Sequence, residues 1–225
     1  MCGRYVLKTL PQKIMEAIGV IVGPLPELFP RYNIAPTQQV PVVRLDKEGA
    51  RRLSLVKWGL VPSWAKDPSI GNRQINARAE TVSERPAFRD AFARRRCLVP
   101  ADGFYEWHTT GAGKQPIFIH RADDRPFCFA GLWERWHDPD SDADMDSMTI
   151  ITTTPNRLMA PIHNRMPVIL GQGAYDPWLN RDTPPQRLGE LLVPAPDDGW
   201  LAQAVSTHVN NPRNDDAECV RPIDG

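Results

Sequence analysis

The sequence predicts a single α+β domain over residues 1–225, built on antiparallel β-structure (barrel-like, or two packed sheets) with short peripheral helices. Three observations lead there. The chain is long enough for a sizeable core, 41% hydrophobic and formally neutral, as ordinary globular proteins are. Its 23 prolines and 15 glycines are scattered, which implies many short elements and points away from a helical bundle. Short β-branched and aromatic runs recur between those breaks, with no internal repeat and no linker.

Taken in order, Gly3 to Leu7 reads as a short strand. Thr9 can cap a helix to about Ile18, with Pro11 tolerated in its first turn and Gly19 as its stop. Proline punctuates a loop from Gly23 to Gln39. Val40–Arg44 and Arg51–Trp58 make a hairpin about the turn Asp46-Lys47-Glu48-Gly49. A loop from Val61 to Arg73 follows, and Ser83 can cap a helix that buries Phe88 and Phe92, one turn apart. Strands are expected at Cys97–Val99, Phe104–His108, Ile117–His120, Phe127–Trp133 and Met148–Thr154. Pro155 opens a short helix ending near His163, and two more fall around Ala174–Leu179 and Pro185–Leu192. A last strand lies near Leu201–Val205.

Several function classes lose support at once. Cys2, Cys97, Cys128 and Cys219 form no CxxC and have no close histidine pairs, which argues against zinc. The tract Asp138–Asp146 looks calcium-like, but its sixth position is Ala143 and its twelfth Thr149, where glycine and glutamate are required. The apolar run Ile14–Gly23 is broken by Glu16 and is too short to span a bilayer, and no secretory signal is visible. The expectation is a cytoplasmic monomer with reduced thiols, nucleoid-associated if bacterial, with no membrane, metal or cofactor.

Other residues have chemistry to offer. Removal of Met1 leaves Cys2 with a thiol and a free α-amine on adjacent carbons, a pair that condenses with aldehydes to a thiazolidine. Ordinary values near ~8.5 and ~7.7–8.0 leave useful nucleophilic fractions of both at neutral pH. The bland alternative is an accidental cysteine in a frayed terminus. Arg73, Arg78, Arg85, Arg89, Arg94, Arg95 and Arg96 face only Glu80, Glu84 and Asp90, a basic stretch in a neutral chain. With Trp58, Trp64 and Trp107 it suits phosphates and stacked bases of single-stranded nucleic acid, or else an exposed salt-bridged helix. Strand alternation sets Glu106 on one face with Phe104 and His108, where burial would raise its pKa and fit it for proton transfer. His163, in a proline-bounded turn, and Asn76, a possible hydrogen-bond donor to a substrate hydroxyl, each also have an ordinary reading as turn residues.

Six segments occur together: Met1-Cys2-Gly3-Arg4-Tyr5, Arg31-Tyr32-Asn33-Ile34-Ala35-Pro36, Trp58-Gly59-Leu60-Val61-Pro62-Ser63-Trp64, Ile75-Asn76-Ala77-Arg78-Ala79-Glu80-Thr81, Pro100-Ala101-Asp102-Gly103-Phe104-Tyr105-Glu106-Trp107 and Ile162-His163-Asn164-Arg165-Met166-Pro167. In this order they resemble the SOS-response-associated peptidase (SRAP) domain, whose members crosslink abasic sites in single-stranded DNA. The resemblance implies that Cys2 attacks the aldehyde of a ring-opened abasic sugar and that Glu106 positions the α-amine and manages its protons. It implies His163 as general acid/base, Asn76 as the group orienting the sugar or Cys2, and Arg4, Asn33, Trp64, Arg78 and Arg85 as DNA-binding residues. Where the family carries an aromatic pair, Ser63 precedes Trp64, so half of that wedge is absent. The expected product is a thiazolidine crosslink that shields the lesion, with abasic-site lyase and Met1-removing peptidase activities beside it. The rivals are a cysteine peptidase using the same Cys2, Glu106 and His163, and a non-catalytic DNA reader.

Overall fold

The computed structural model describes residues 2–19, 27–111 and 113–223. The first half of the chain forms β1 (Tyr5–Leu7), α1 (Pro11–Ile18), β2 (Arg31–Ile34), β3 (Gln39–Leu45), β4 (Arg51–Trp58), β5 (Asn76–Arg78), α2 (Arg89–Arg94), β6 (Arg96–Ala101) and β7 (Gly103–Thr110). The second half forms β8 (Gly113–Arg121), β9 (Phe127–His137), β10 (Asp144–Thr153), β11 (Met166–Pro167), β12 (Ile169–Leu170), α3 (Tyr175–Leu179), α4 (Pro185–Glu190) and β13 (Trp200–Ala204).

The fold is α+β, as expected. One sheet runs β13-β8-β7-β1-β2 and is antiparallel throughout. In the other, the path β10-β4-β3-β6-β9 returns to β10 through a long β9–β10 pairing, closing a ring of five strands. A closed ring leaves no edge among those strands. β10 also carries β5 in parallel and β11 antiparallel, so the Asn76 segment and the chain beyond His163 hang on one strand.

The sheets meet through aromatic residues. Tyr5 of β1 packs edge-on against Trp58 and Phe129 of the ring, at 5.4 and 5.9 Å between centroids. Phe104, paired with Tyr5 across β1–β7, also lies edge-on to Phe129. Each such ring buried contributes roughly 2–3 kcal/mol, which anchors the N-terminal strand to the barrel. A side chain at Gly103 would place a Cβ 2.4 Å from the Phe118 ring, so glycine is needed where β7 passes β8.

Local chemistry overrides the sequence reading in five places. Thr9 does not cap α1; its hydroxyl and N–H, with the Lys8 N–H, bind the Asp102 carboxylate, and Leu10 takes the cap position. The expected loop before Gln39 contains β2, and the part of that loop at residues 23–26 lies outside the described residues. The helix expected from Ser83 begins only after Phe88, which is buried with Phe92. The acidic tract is partly strand, since β10 starts at Asp144. After Pro155 there is no helix: Ala160 N–H reaches Asn156 O, but Pro161 has no N–H to continue the turn.

Candidate active site and nucleic-acid interface

β1 brings the start of the chain to β7. Tyr5 pairs with Phe104, Val6 with Gly103, and Tyr105 N–H donates to Arg4 O at 3.0 Å. Continued, this register sets Gly3 across from Glu106, with Cys2 next in line. Cys2 is 0% exposed. Burial, and secondarily the Glu106 charge, pushes its thiol well above the ordinary range, against the opposing charge of the amino terminus. The thiol therefore stays protonated at neutral pH, unlike the ordinary thiol inferred from sequence.

Glu106 is 2% exposed, and burial raises its carboxyl above the usual glutamate range. The charge of His163 pulls in the other direction, which puts the two side chains within electrostatic reach. His163 is half-buried in the turn after β10, where its N–H donates to Met159 O at 2.9 Å. Its Nδ1 accepts the backbone N–H of Arg165 at 3.0 Å.

A cavity of about 430 Å³ opens beside β5, and its walls include Trp64, Asn76, Arg78 and Arg85 together with Thr81 and Phe88. Trp64 is 56% exposed, an unusual state for tryptophan. It is carried by the loop after Gly59, whose backbone crosses that of Gly71 so closely that a Cβ on Gly59 would stand 2.7 Å from Gly71 O. Arg78 and Arg85 are exposed. Asn76 Nδ2 donates one hydrogen to Ile75 O at 2.9 Å and keeps a second, while its Oδ1 is buried with no hydrogen-bond partner among the described residues. A donor and an acceptor on this side chain are therefore both open to a ligand such as a hydroxyl.

Not every candidate reaches this cavity. Asn33 is 0% exposed, with Nδ2 within bonding distance of the carbonyls of Val209, Asn211 and Asn214 and Oδ1 accepting from Arg4. So placed, Asn33 pins the C-terminal segment. Arg4 is drawn the same way, onto Asn33 and the carbonyls of Val209 and Asn210, with Trp107 5.9 Å from its guanidinium. The arginine run divides too. Arg73, Arg78, Arg85, Arg89 and Arg94 are exposed, but Arg95 pairs with Glu134 and Arg96 is buried. Trp58 belongs to the core, and Trp107 binds Asn210.

One group among the described residues has metal-ligand chemistry: His208, Asp216 and Cys219, whose ligand atoms lie within 4.8 Å of one another. Their hydrogen bonds do not suit a cation. Asn214 Nδ2 faces His208 Nδ1, which leaves the ring proton on Nε2, directed to Asp216. Sequence reasoning missed Thr81 and Phe88 in the cavity wall, and the ion pair Glu80–Arg165, both of whose members stand inside the recognised segments.

Comparison with known proteins bears on this arrangement. The family model described as SOS response associated peptidase (SRAP) matches residues 1–212. The abasic site processing protein YoqW of Bacillus subtilis is 43% identical over 223 residues, 98% of this chain and 99% of that protein. HMCES of Gallus gallus, also described as an abasic site processing protein, is 34% identical over 87% of this chain and 67% of its own. A crystal structure of a protein from Bacteroides thetaiotaomicron superposes with a TM-score of 0.88 at 27% identity, covering 99% of this chain and 100% of that one. Among the described residues no helix is long and apolar enough to cross a membrane.

Proposed function

The chain belongs to the SRAP family, and from that premise we propose that it binds single-stranded DNA and captures abasic sites as a thiazolidine at Cys2. The names of its relatives support the abasic-site role. One observation carries the DNA reading: a single cavity combines an exposed indole, two exposed arginines and an unfilled buried acceptor. Stacking on an aromatic ring and phosphate contacts by arginine are how single strands are held without base readout.

The chemistry requires loss of Met1. The freed α-amine adds to the C1 aldehyde of the ring-opened sugar and water leaves, giving an iminium. The Cys2 sulfur then adds to the same carbon, its proton passes to a base, and a five-membered ring closes. A thiol held protonated by burial suits this order, because it waits until the iminium is there to draw it. Glu106, with its raised carboxyl, takes and returns protons beside the amine, and His163 serves sugar opening. Ring closure protects the lesion, whereas an iminium left open hydrolyses or undergoes strand-cleaving elimination. A peptidase reading would use the same three residues but has no role for the Trp64–Arg78–Arg85 cavity.

The test is Cys2→Ala. Wild-type protein incubated with an abasic oligonucleotide should give a heat-stable adduct on a denaturing gel, at the mass of the Met1-less chain plus oligonucleotide minus water. Cys2→Ala should give no such adduct, with residual amine-driven cleavage at most. A heat-stable adduct from the alanine variant would overturn the thiol's role.

A further inference from the structure

Arg165 and Glu80 take no part in the chemistry above, yet they join its two halves. Glu80 lies two residues past Arg78 and Arg165 two residues past His163. The guanidinium binds the carboxylate through two bonds, at 2.6 and 2.9 Å. Arg165 Nη2 also donates to Thr152 O at 2.6 Å, and that carbonyl accepts the Ala79 N–H at 2.8 Å. Thr152 of β10 is itself paired with Arg78 of β5, and the next residue, Thr153, with Met166 of β11. One side chain thus ties β5, β10 and the turn holding His163.

The backbone of the same residue sets the imidazole. Arg165 N–H points at His163 Nδ1, 3.0 Å away. Arg165 O is also near, at 3.2 Å, but could accept only if Nδ1 carried a hydrogen, which would collide with that N–H. The neutral ring accordingly bears its proton on Nε2. Glu80 is 48% exposed, so the ion pair adds little to global stability. Its geometric effect is larger, because the forked bond holds Arg165 in one place.

We propose that Glu80 and Arg165 are positioning residues: their bidentate pair fixes the tautomer and place of His163 relative to Asn76 and Arg78. The kinetic part of the test rests on the abasic-site reading, and the spectroscopic part does not. Glu80→Gln removes the charge and one of the two acceptors, and Arg165→Lys cannot reach the carboxylate and Thr152 O together. Both should lower the single-turnover adduct rate constant about 10–100-fold, the scale of a small misplacement of reacting groups. The protein concentration giving half-maximal rate should stay within about threefold, and Glu80→Gln should melt within a few degrees of wild type. Long-range ¹⁵N–¹H spectra should show one Nε2–H tautomer for His163 in wild type and a mixture in both variants. Unchanged rate constants with an unchanged tautomer would overturn the proposal, as would a defect confined to half-saturation. If wild type forms no adduct, the abasic-site reading fails and the spectra alone decide: a lost tautomer preference sustains the positioning role, and a retained one ends it. If Arg165→Lys does not fold, Glu80→Gln carries the same comparison.

Discussion

A carboxyl group 2% exposed to water is costly to ionise, and Glu106 retains one next to Cys2. Burial raises its folded-state pKa above the ordinary ~4.3 of the unfolded chain. Between those two values the folded protein holds a proton that the unfolded chain releases, so stability falls as pH rises through the interval and is level above it. Glutamine cannot ionise. Glu106→Gln should therefore match wild type in urea melts below about pH 4 and exceed it at neutral pH, while forming adduct far more slowly. A Gln variant less stable than wild type at pH 7 would mean that the amino terminus and His163 outweigh burial. This is also the scale at which the sequence is least legible. The family resemblance nominated Cys2, Glu106, His163 and Trp64, but solvent access separates an exposed Trp64 from a core Trp58, and sequence does not contain it. Asn33 shows the same limit: a polar residue in a proline-rich stretch turns out to be enclosed by the far end of the chain.

At the scale of elements, the hairpin β3–β4 was readable because two runs rich in β-branched and apolar residues, seven pairs in all, flank a turn of fixed chemistry. β2 was not, since four residues including an asparagine become a strand only when β1 and the C-terminal segment offer partners. Helices here depend on outside help as well. α2 and α3 have six and five residues, too short to be stable alone, and their last carbonyls lack intrahelical partners. Arg96, 3% exposed, supplies the donors: its guanidinium binds the carbonyls of Phe92 and Ala93 after α2 begins its last turn, and of Trp178 and Asn180 at the end of α3. Burial without a carboxylate lowers its pKa to about 10, still charged at neutral pH. Arg96→Met should leave those carbonyls unpaired and cost about 3 kcal/mol, or roughly 6–12 °C in melting temperature. Arg96→Lys should recover only part, because one ammonium cannot span both helix ends. Calorimetry on the two variants checks this. A Met variant as stable as wild type would show that packing, not the guanidinium, holds the helices.

Over the whole molecule, the two ends of the chain build one corner. A mostly antiparallel core was foreseeable from composition and pattern, whereas the closure of the ring by β10 onto β4 and the approach of the C-terminal segment to β2 are long-range contacts that local patterns do not encode. Asp215 makes the meeting: its carboxylate accepts the backbone N–H groups of Tyr32 and Asn33 at 2.5 and 2.8 Å and binds Arg31 as well. The family model ends at residue 212, three residues short of Asp215. β2 lies at the edge of its sheet, and these bonds occupy donors that would otherwise face open solvent or another chain. Since β2 flanks the strand that leads from Cys2, loosening it should loosen the start of the chain before it affects the barrel. Asp215→Ala is expected to cost about 2 kcal/mol and to speed hydrogen exchange at Tyr32 and Asn33 at least about tenfold, with β9 and β10 amides opening only through the modest fall in global stability. Retained protection at Tyr32 and Asn33 would show that β2 is held by β1 alone. The same experiment then reads the consequence for function: if the strand bearing Cys2 needs this support, adduct formation by Asp215→Ala should slow while its affinity for the oligonucleotide, proposed to come from the Trp64–Arg78–Arg85 cavity that Asp215 does not line, stays as it was.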